Sequence, residues 1–158
     1  MSKQRFRLGV YVLLTILIMA LIFAFSSHDA DKSQVLSDGV LFKLLSFLNM
    51  QQYMERYEIL IRKLAHFSLY FALGLSSCLM FYEIVPNRKM PFKAPAVSFV
   101  FSAFYAASDE IHQFFVPGRS MQFSDVLLDS AGALTAILLL YSARKLVFRL
   151  REERKEHE

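Results

Sequence analysis

From Leu8 to Ser27 the chain runs 20 positions without a charge, entered through Lys3, Arg5 and Arg7. At about 1.5 Å per helical residue, a run of this length covers the ~30 Å hydrocarbon core of a bilayer. A cleavable signal peptide would also start basic and end near a sequence such as Ala24-Phe25-Ser26. The apolar core from Leu8 to Phe25 is longer than the ~7–15 residues usual there, so the pattern predicts an uncleaved anchor. A second uncharged run, Leu64 to Tyr82, is entered through Arg62 and Lys63. A third starts at Ala94 and meets Asp109, Glu110 and His112 before Phe114-Phe115. A fourth runs from Val126 to Ala143, interrupted only by Asp129. The predicted spans are about 8–27, 62–82, 94–115 and 125–143.

The long connection after the first run has a different period. Leu36, Val40, Leu41, Leu44, Leu45, Phe47 and Leu48 share half of a helical wheel, opposite Asp38, Lys43 and Ser46. This predicts an amphipathic interfacial helix at about 33–48. The fold class expected is therefore all-α: a polytopic membrane helix bundle of four transmembrane helices plus that interfacial helix. Residues 1–143 form the membrane domain and residues 144–158 a charged tail. No internal repeat or second domain interrupts the pattern.

Composition agrees with this. Hydrophobic residues make up 55%, Phe alone 16 positions, and the single cysteine, Cys78, rules out an intramolecular disulfide. The net charge of +4 would suit nucleic acid, but its distribution points elsewhere. Three Lys/Arg precede the first run, three lie between Glu83 and Lys93, and six follow Ala143. The remaining six are on the other side: Lys32, Lys43, Arg56, Arg62, Lys63 and Arg119. Twelve against six predicts a multi-pass plasma-membrane protein with both termini cytoplasmic. The basic excess is then a topology signal, and no nucleic-acid partner is expected.

The polar residues inside the runs carry the chemistry. Arg62, Lys63 and His66 open the second, and the same helical stripe continues to Tyr70 and Gly74, where Gly permits close helix approach. Asp109, Glu110, His112 and Gln113 close the third. Ser124, read as an N-cap, Asp125 and Asp129 open the fourth. Only Val116 to Ser124 join these two runs, with a Pro117-Gly118 turn signal and Arg119. The two helices must then be antiparallel neighbours, with Arg119 expected near Glu110 and one of Asp125 or Asp129. Ionisable groups within spans usually face a bundle interior or wet cavity, so this cluster is the candidate site.

These residues resemble the VanZ-like membrane proteins, named for a teicoplanin-resistance determinant. The resemblance rests on Arg62-Lys63-x-x-His66 with Tyr70 and Gly74, and on Ser108-Asp-Glu-Ile-His-Gln-Phe-Phe-Val-Pro-Gly-Arg119. It continues through Asp125, Asp129 and Gly132, and Phe25-Ser-Ser27 fits the family's first-helix ending. It extends from Leu8 to Tyr141. Asp129 stands where Asn is common, and Ala136 where a second small Gly is usual. The resemblance implies a small multispanning cell-envelope protein, linked in some members to antibiotic resistance of the glycopeptide type, and it supplies no biochemical activity.

The expected ligand-binding residues are Arg62, Lys63, His66, Asp109, Glu110, Gln113, Arg119, Asp125 and Asp129. They would form a polar outer-leaflet cavity for an anionic membrane lipid or a lipid-linked envelope precursor, with Arg62, Lys63 and Arg119 on phosphate. The alternative is a hydrolase or transferase acting on a lipid phosphate, with Glu110, His112 and Asp125 as catalytic candidates. No cofactor is expected. A divalent metal on Glu110, His112, Asp125 and Asp129 stays open, although no H-E-x-x-H or paired-Cys pattern supports it. The plain structural reading is an ion-pair network stapling the third and fourth helices. A proton-coupled transporter would need polar groups nearer the midplane than these.

Overall fold

The computed structural model describes residues 3–27, 54–85 and 92–156, and within them every regular element is an α-helix. These are α1 (Lys3–Ser26), α2 (Met54–Ile84), α3 (Lys93–Phe114) and α4 (Phe123–Glu156). The interfacial helix expected at 33–48 lies outside the described residues. Three helices are long and apolar enough to cross a membrane: Lys3–Ser26, Leu60–Ile84 and Phe123–Lys155. The third expected span, α3, falls short of that standard because Asp109, Glu110, His112 and Gln113 occupy its last two turns. The charged tail, expected to begin at 144, continues α4 without a break to Glu156.

Contacts along the helices set their directions. Arg7 at the start of α1 pairs with Glu83 at the end of α2, its Nε 3.2 Å from Oε1, so these two run antiparallel. Ser77 and Ser98 hydroxyls meet at 2.6 Å, and a full two turns earlier on α2 the Tyr70 ring lies 6.3 Å from Tyr105, later on α3, which makes α3 antiparallel to α2. Tyr105 of α3 donates its hydroxyl to the Met19 carbonyl of α1 at 2.7 Å. The succession Lys63–Asp125, Phe67–Gly132, Gly74–Ala133 and Tyr82–Arg144 rises together along α2 and α4, so they are parallel. The result is an up-down-up-down bundle in which α2 packs against all three other helices and α1 and α4 take opposite flanks.

The α2–α4 crossing is close enough to exclude side chains. A Cβ on Gly74 would stand 2.5 Å from the Ala133 carbonyl oxygen, and one on Gly132 would stand 2.5 Å from the Phe67 carbonyl oxygen. Small residues at a crossing allow backbone approach of this kind, which supplies packing where lipid and core are equally apolar. Of the stripe read from His66 to Gly74, both ends meet α4, His66 at Asp129 and Gly74 at Ala133.

Polarity is distributed inside out. The fully buried set includes Ile22, Tyr70 and Leu73 but also Ser26, Ser76, Ser77, Ser98, Glu110 and Asp129. Leu13, Phe23, Phe104, Leu127, Leu138 and many other large apolar side chains are exposed on all sides. An apolar exterior around a hydrogen-bonded interior is what a lipid solvent favours.

Replacing Gly132 with Ala should lower thermal stability in detergent by about 1–3 kcal/mol, because its new methyl meets backbone that cannot rotate away. Gly9→Ala, with no atom within 4 Å of the added carbon, should leave the melting temperature unchanged. Equal melting of both variants would mean that the crossing is looser than described.

Candidate functional site

The site is built at the end of the bundle where α2 and α4 begin and α3 ends. The short turn places it. Val116 N–H donates to the Gln113 carbonyl and Arg119 N–H to the Val116 carbonyl, while Gly118 takes a φ of 75°, which L side chains rarely adopt. The Pro117-Gly118 turn signal is therefore a real reversal. The helix after it starts two residues earlier than the capping pattern suggested. Phe123 is its first residue, and Ser124 sits inside the first turn with its Oγ 3.2 Å from Asp125 Oδ1. The Gln122 backbone N–H just before α4 donates instead to Glu110 Oε2 at 2.9 Å. A carboxylate on α3 thus serves the amino end of α4, where the helix dipole favours negative charge.

A half-open cavity of about 250 Å³ lies between these elements. Of the nine predicted ligand-binding residues, eight line it: Arg62, Lys63, His66, Glu110, Gln113, Arg119, Asp125 and Asp129. Lys63 Nζ pairs with Asp125 Oδ1 across α2 and α4. His66 Nδ1 stands 3.7 Å from Asp129 Oδ2, with Asp129 completely buried. Arg119 lines the cavity with Glu110, Asp125 and Asp129, and its Nη1 donates to Gln113 Oε1 at 3.0 Å. Burial and then the nearby Arg62 charge lower the Arg119 pKa, while Asp109 and Glu110 oppose that shift.

The ninth residue, Asp109, works behind the cavity. Its Oδ2 accepts from Ser26 Oγ at 2.8 Å and from Gln113 Nε2 at 3.1 Å, and the same Gln113 nitrogen donates to Ser26 Oγ at 3.3 Å. Arg119, Gln113, Asp109 and Ser26 therefore form one hydrogen-bonded chain from the turn to the end of α1. Ser26 is the functional residue that reasoning from charge missed. Its sequence signal was the Phe25-Ser-Ser27 ending, which marks where α1 stops without saying what it touches.

His112, a catalytic candidate by sequence, is directed elsewhere. Its Nε2 lies 3.1 Å from Ser27 Oγ and its ring stacks on Phe23 with centroids 4.5 Å apart, both on α1. Cys78 is buried, and Tyr70 is fully buried with its hydroxyl lacking a hydrogen-bond partner among the described residues.

A family model described as VanZ/LLP1 matches residues 11–148. Among curated proteins and among solved structures, no match reaches significance. The matched stretch contains the polar end of the bundle and the greater part of its helices, and on that ground the protein belongs to the VanZ/LLP1 family.

Proposed function

We propose that this protein crosses the plasma membrane four times, with both termini cytoplasmic, and binds an anionic lipid headgroup or lipid-linked envelope intermediate in its outer-leaflet cavity. One observation carries the reading: Arg62 and Arg119 line the same half-open cavity at the rim of a bundle whose outer surface is apolar. A lipid arriving from the bilayer would meet this surface before reaching the cations. At roughly 30 Å³ per water, the cavity has room for about eight waters, enough for a phosphate and part of its glycerol or sugar. The two arginines, whose planar guanidinium groups match phosphate in a bidentate way, hold it through charge-assisted hydrogen bonds, with Lys63 beside Asp125 at the rim. A lipid-linked cell-wall intermediate in this cavity would tie the protein to glycopeptide susceptibility of the teicoplanin type.

The alternative is a hydrolase or transferase acting on a lipid phosphate. Its support is the Glu110 carboxyl, which lines the cavity and is 2% exposed. In that reading Glu110 or Asp125 is the acid/base, and His112, turned to α1, has no part.

Native mass spectrometry of the purified chain should show phosphatidylglycerol retained over phosphatidylcholine. Arg119→Ala and Arg62→Ala should each weaken that retention about tenfold, the equivalent of one charge-assisted bond of ~1.4 kcal/mol. Equal retention of both lipids by the wild type would refute the headgroup site. Release of a dephosphorylated or transferred product, lost in Glu110→Gln, would establish the enzyme instead.

Orientation is read separately. A reporter fused after Glu158 should behave as cytoplasmic, and one inserted at Asn49 as extracytoplasmic. The reverse pair of results would move the cavity to the inner leaflet.

A further inference from the structure

Beneath the cavity the helices bring together three groups, of which only Asp129 is among the metal ligands suggested by sequence. A nitrogen of His66 and carboxylate oxygens of Asp109 and Asp129 all lie within 4.8 Å of one another. They come from α2, α3 and α4, one from each. A cluster of carboxylates is common without an ion, and on its own this one would decide nothing. The second observation concerns hydrogen bonds: Asp129 is 0% exposed, and neither of its oxygens has a hydrogen-bond partner in the described structure. Its distance of 3.7 Å from His66 Nδ1 is beyond hydrogen-bond reach. A buried carboxylate with no donor is costly, and cations or donors are the usual remedy. The hydroxyl of Tyr70, one turn beyond His66 on the same face of α2, is buried without a partner as well.

We propose that His66, Asp109 and Asp129 bind a divalent transition-metal ion, Zn²⁺ or Mn²⁺, at the floor of the cavity. Two ligand atoms each ~2.1 Å from a tetrahedral ion stand about 3.4 Å apart, close to the observed His66–Asp129 separation of 3.7 Å. A donor pair at the 4.8 Å limit must close by about 1.4 Å to reach that spacing on a shared ion. Imidazole suits Zn²⁺ and carboxylate suits Mn²⁺, so the mixed set falls in the class between them. Charge balances, since two buried carboxylates meet two positive charges. The surroundings also fit. Ser26 and Gln113 both donate to Asp109 Oδ2 and so hold that carboxylate, the role outer groups have around metal ligands. Three protein ligands leave a coordination position open, and His66 and Asp129 line the cavity through which a phosphate oxygen or water would reach it. The ion would also offset carboxylate charge below Arg62 and Arg119, but its binding does not depend on lipid.

The test uses the full chain purified in detergent without chelator, loaded with Zn²⁺ or Mn²⁺, desalted, and counted by elemental mass spectrometry with no lipid added. Stoichiometric metal and a raised melting temperature are expected for the wild type. Asp129→Asn keeps the shape and removes one buried charge, so it should fold and lose at least about tenfold in affinity. His66→Gln should do the same and decides the matter if Asp129→Asn does not accumulate. Glu83→Gln, at the far end of the bundle, should bind as the wild type does. A wild type that retains neither ion, or an Asp129→Asn variant with wild-type affinity, would overturn the site. Failure of either result leaves lipid retention unaffected, so the two readings stand or fall apart.

Discussion

The backbone contact between α2 and α4 is the constraint on which the rest depends. Two glycines, Gly74 and Gly132, each remove a side chain where the partner helix presents a carbonyl. Because these helices are parallel, a close approach at Gly74 and Gly132 keeps the charged turns that precede them close as well. Lys63 then reaches Asp125, and His66 comes to 3.7 Å from Asp129. A wider crossing would leave each of these groups alone near hydrocarbon, where an isolated charge costs several kcal/mol. Packing and electrostatics therefore support one another: the glycines bring the charges together, and the paired charges favour the register that seats the glycines.

The polar end is organised as layers, each with its own helix partners. Lys63–Asp125 spans the upper turn of α2 and α4. Glu110 ties α3 to the start of α4 through the Gln122 amide. Asp109, Gln113 and Ser26 tie α3 to α1, and Arg119 extends that chain into the turn. Asp129 alone among the buried carboxylates ends without a hydrogen-bond donor in the described residues. Of the buried groups without a hydrogen-bond partner among the described residues, the Tyr70 and Ser102 hydroxyls and the Asp129 carboxylate, only Asp129 can carry a charge at ordinary pH, and it lies where a ligand would matter most. The far end is held by ordinary means, with Arg7 against Glu83 and the Arg144 guanidinium 4.1 Å above the Tyr82 ring.

Much of this was legible in the chain, and the physics says why. Uncharged runs of membrane length locate α1, α2 and α4, and Pro117-Gly118 locates the reversal. Glu110, Gln113, Arg119, Asp125 and Asp129 share one cavity because a nine-residue connection makes α3 and α4 antiparallel neighbours, and Arg62, Lys63 and His66 join them from the start of α2. The finer division was not legible. Asp109, Glu110, His112 and Gln113 read as one cluster in sequence, but successive residues turn by about 100° around a helix. Asp109 and Gln113, one turn apart, face the centre, Glu110 turns to α4, and His112 turns to α1. Which neighbour each finds depends on where α1 and α2 pack. No spacing within α3 encodes that. The same holds for the triad of His66, Asp109 and Asp129, whose members stand far apart in sequence. The pattern placed a span at 94–115, whereas α3 falls short of membrane-crossing apolarity because the residues that build the site lower it.

The parallel α2–α4 register is tested most directly by crosslinking in native membranes. In a Cys78→Ser background, Lys63→Cys paired with Asp125→Cys should be joined within one chain by a short bifunctional thiol reagent. Lys63→Cys paired with Ser142→Cys, at the opposite end of the apolar stretch of α4, should not. Crosslinking of the second pair without the first would place α2 and α4 antiparallel, and the shared polar end would not exist.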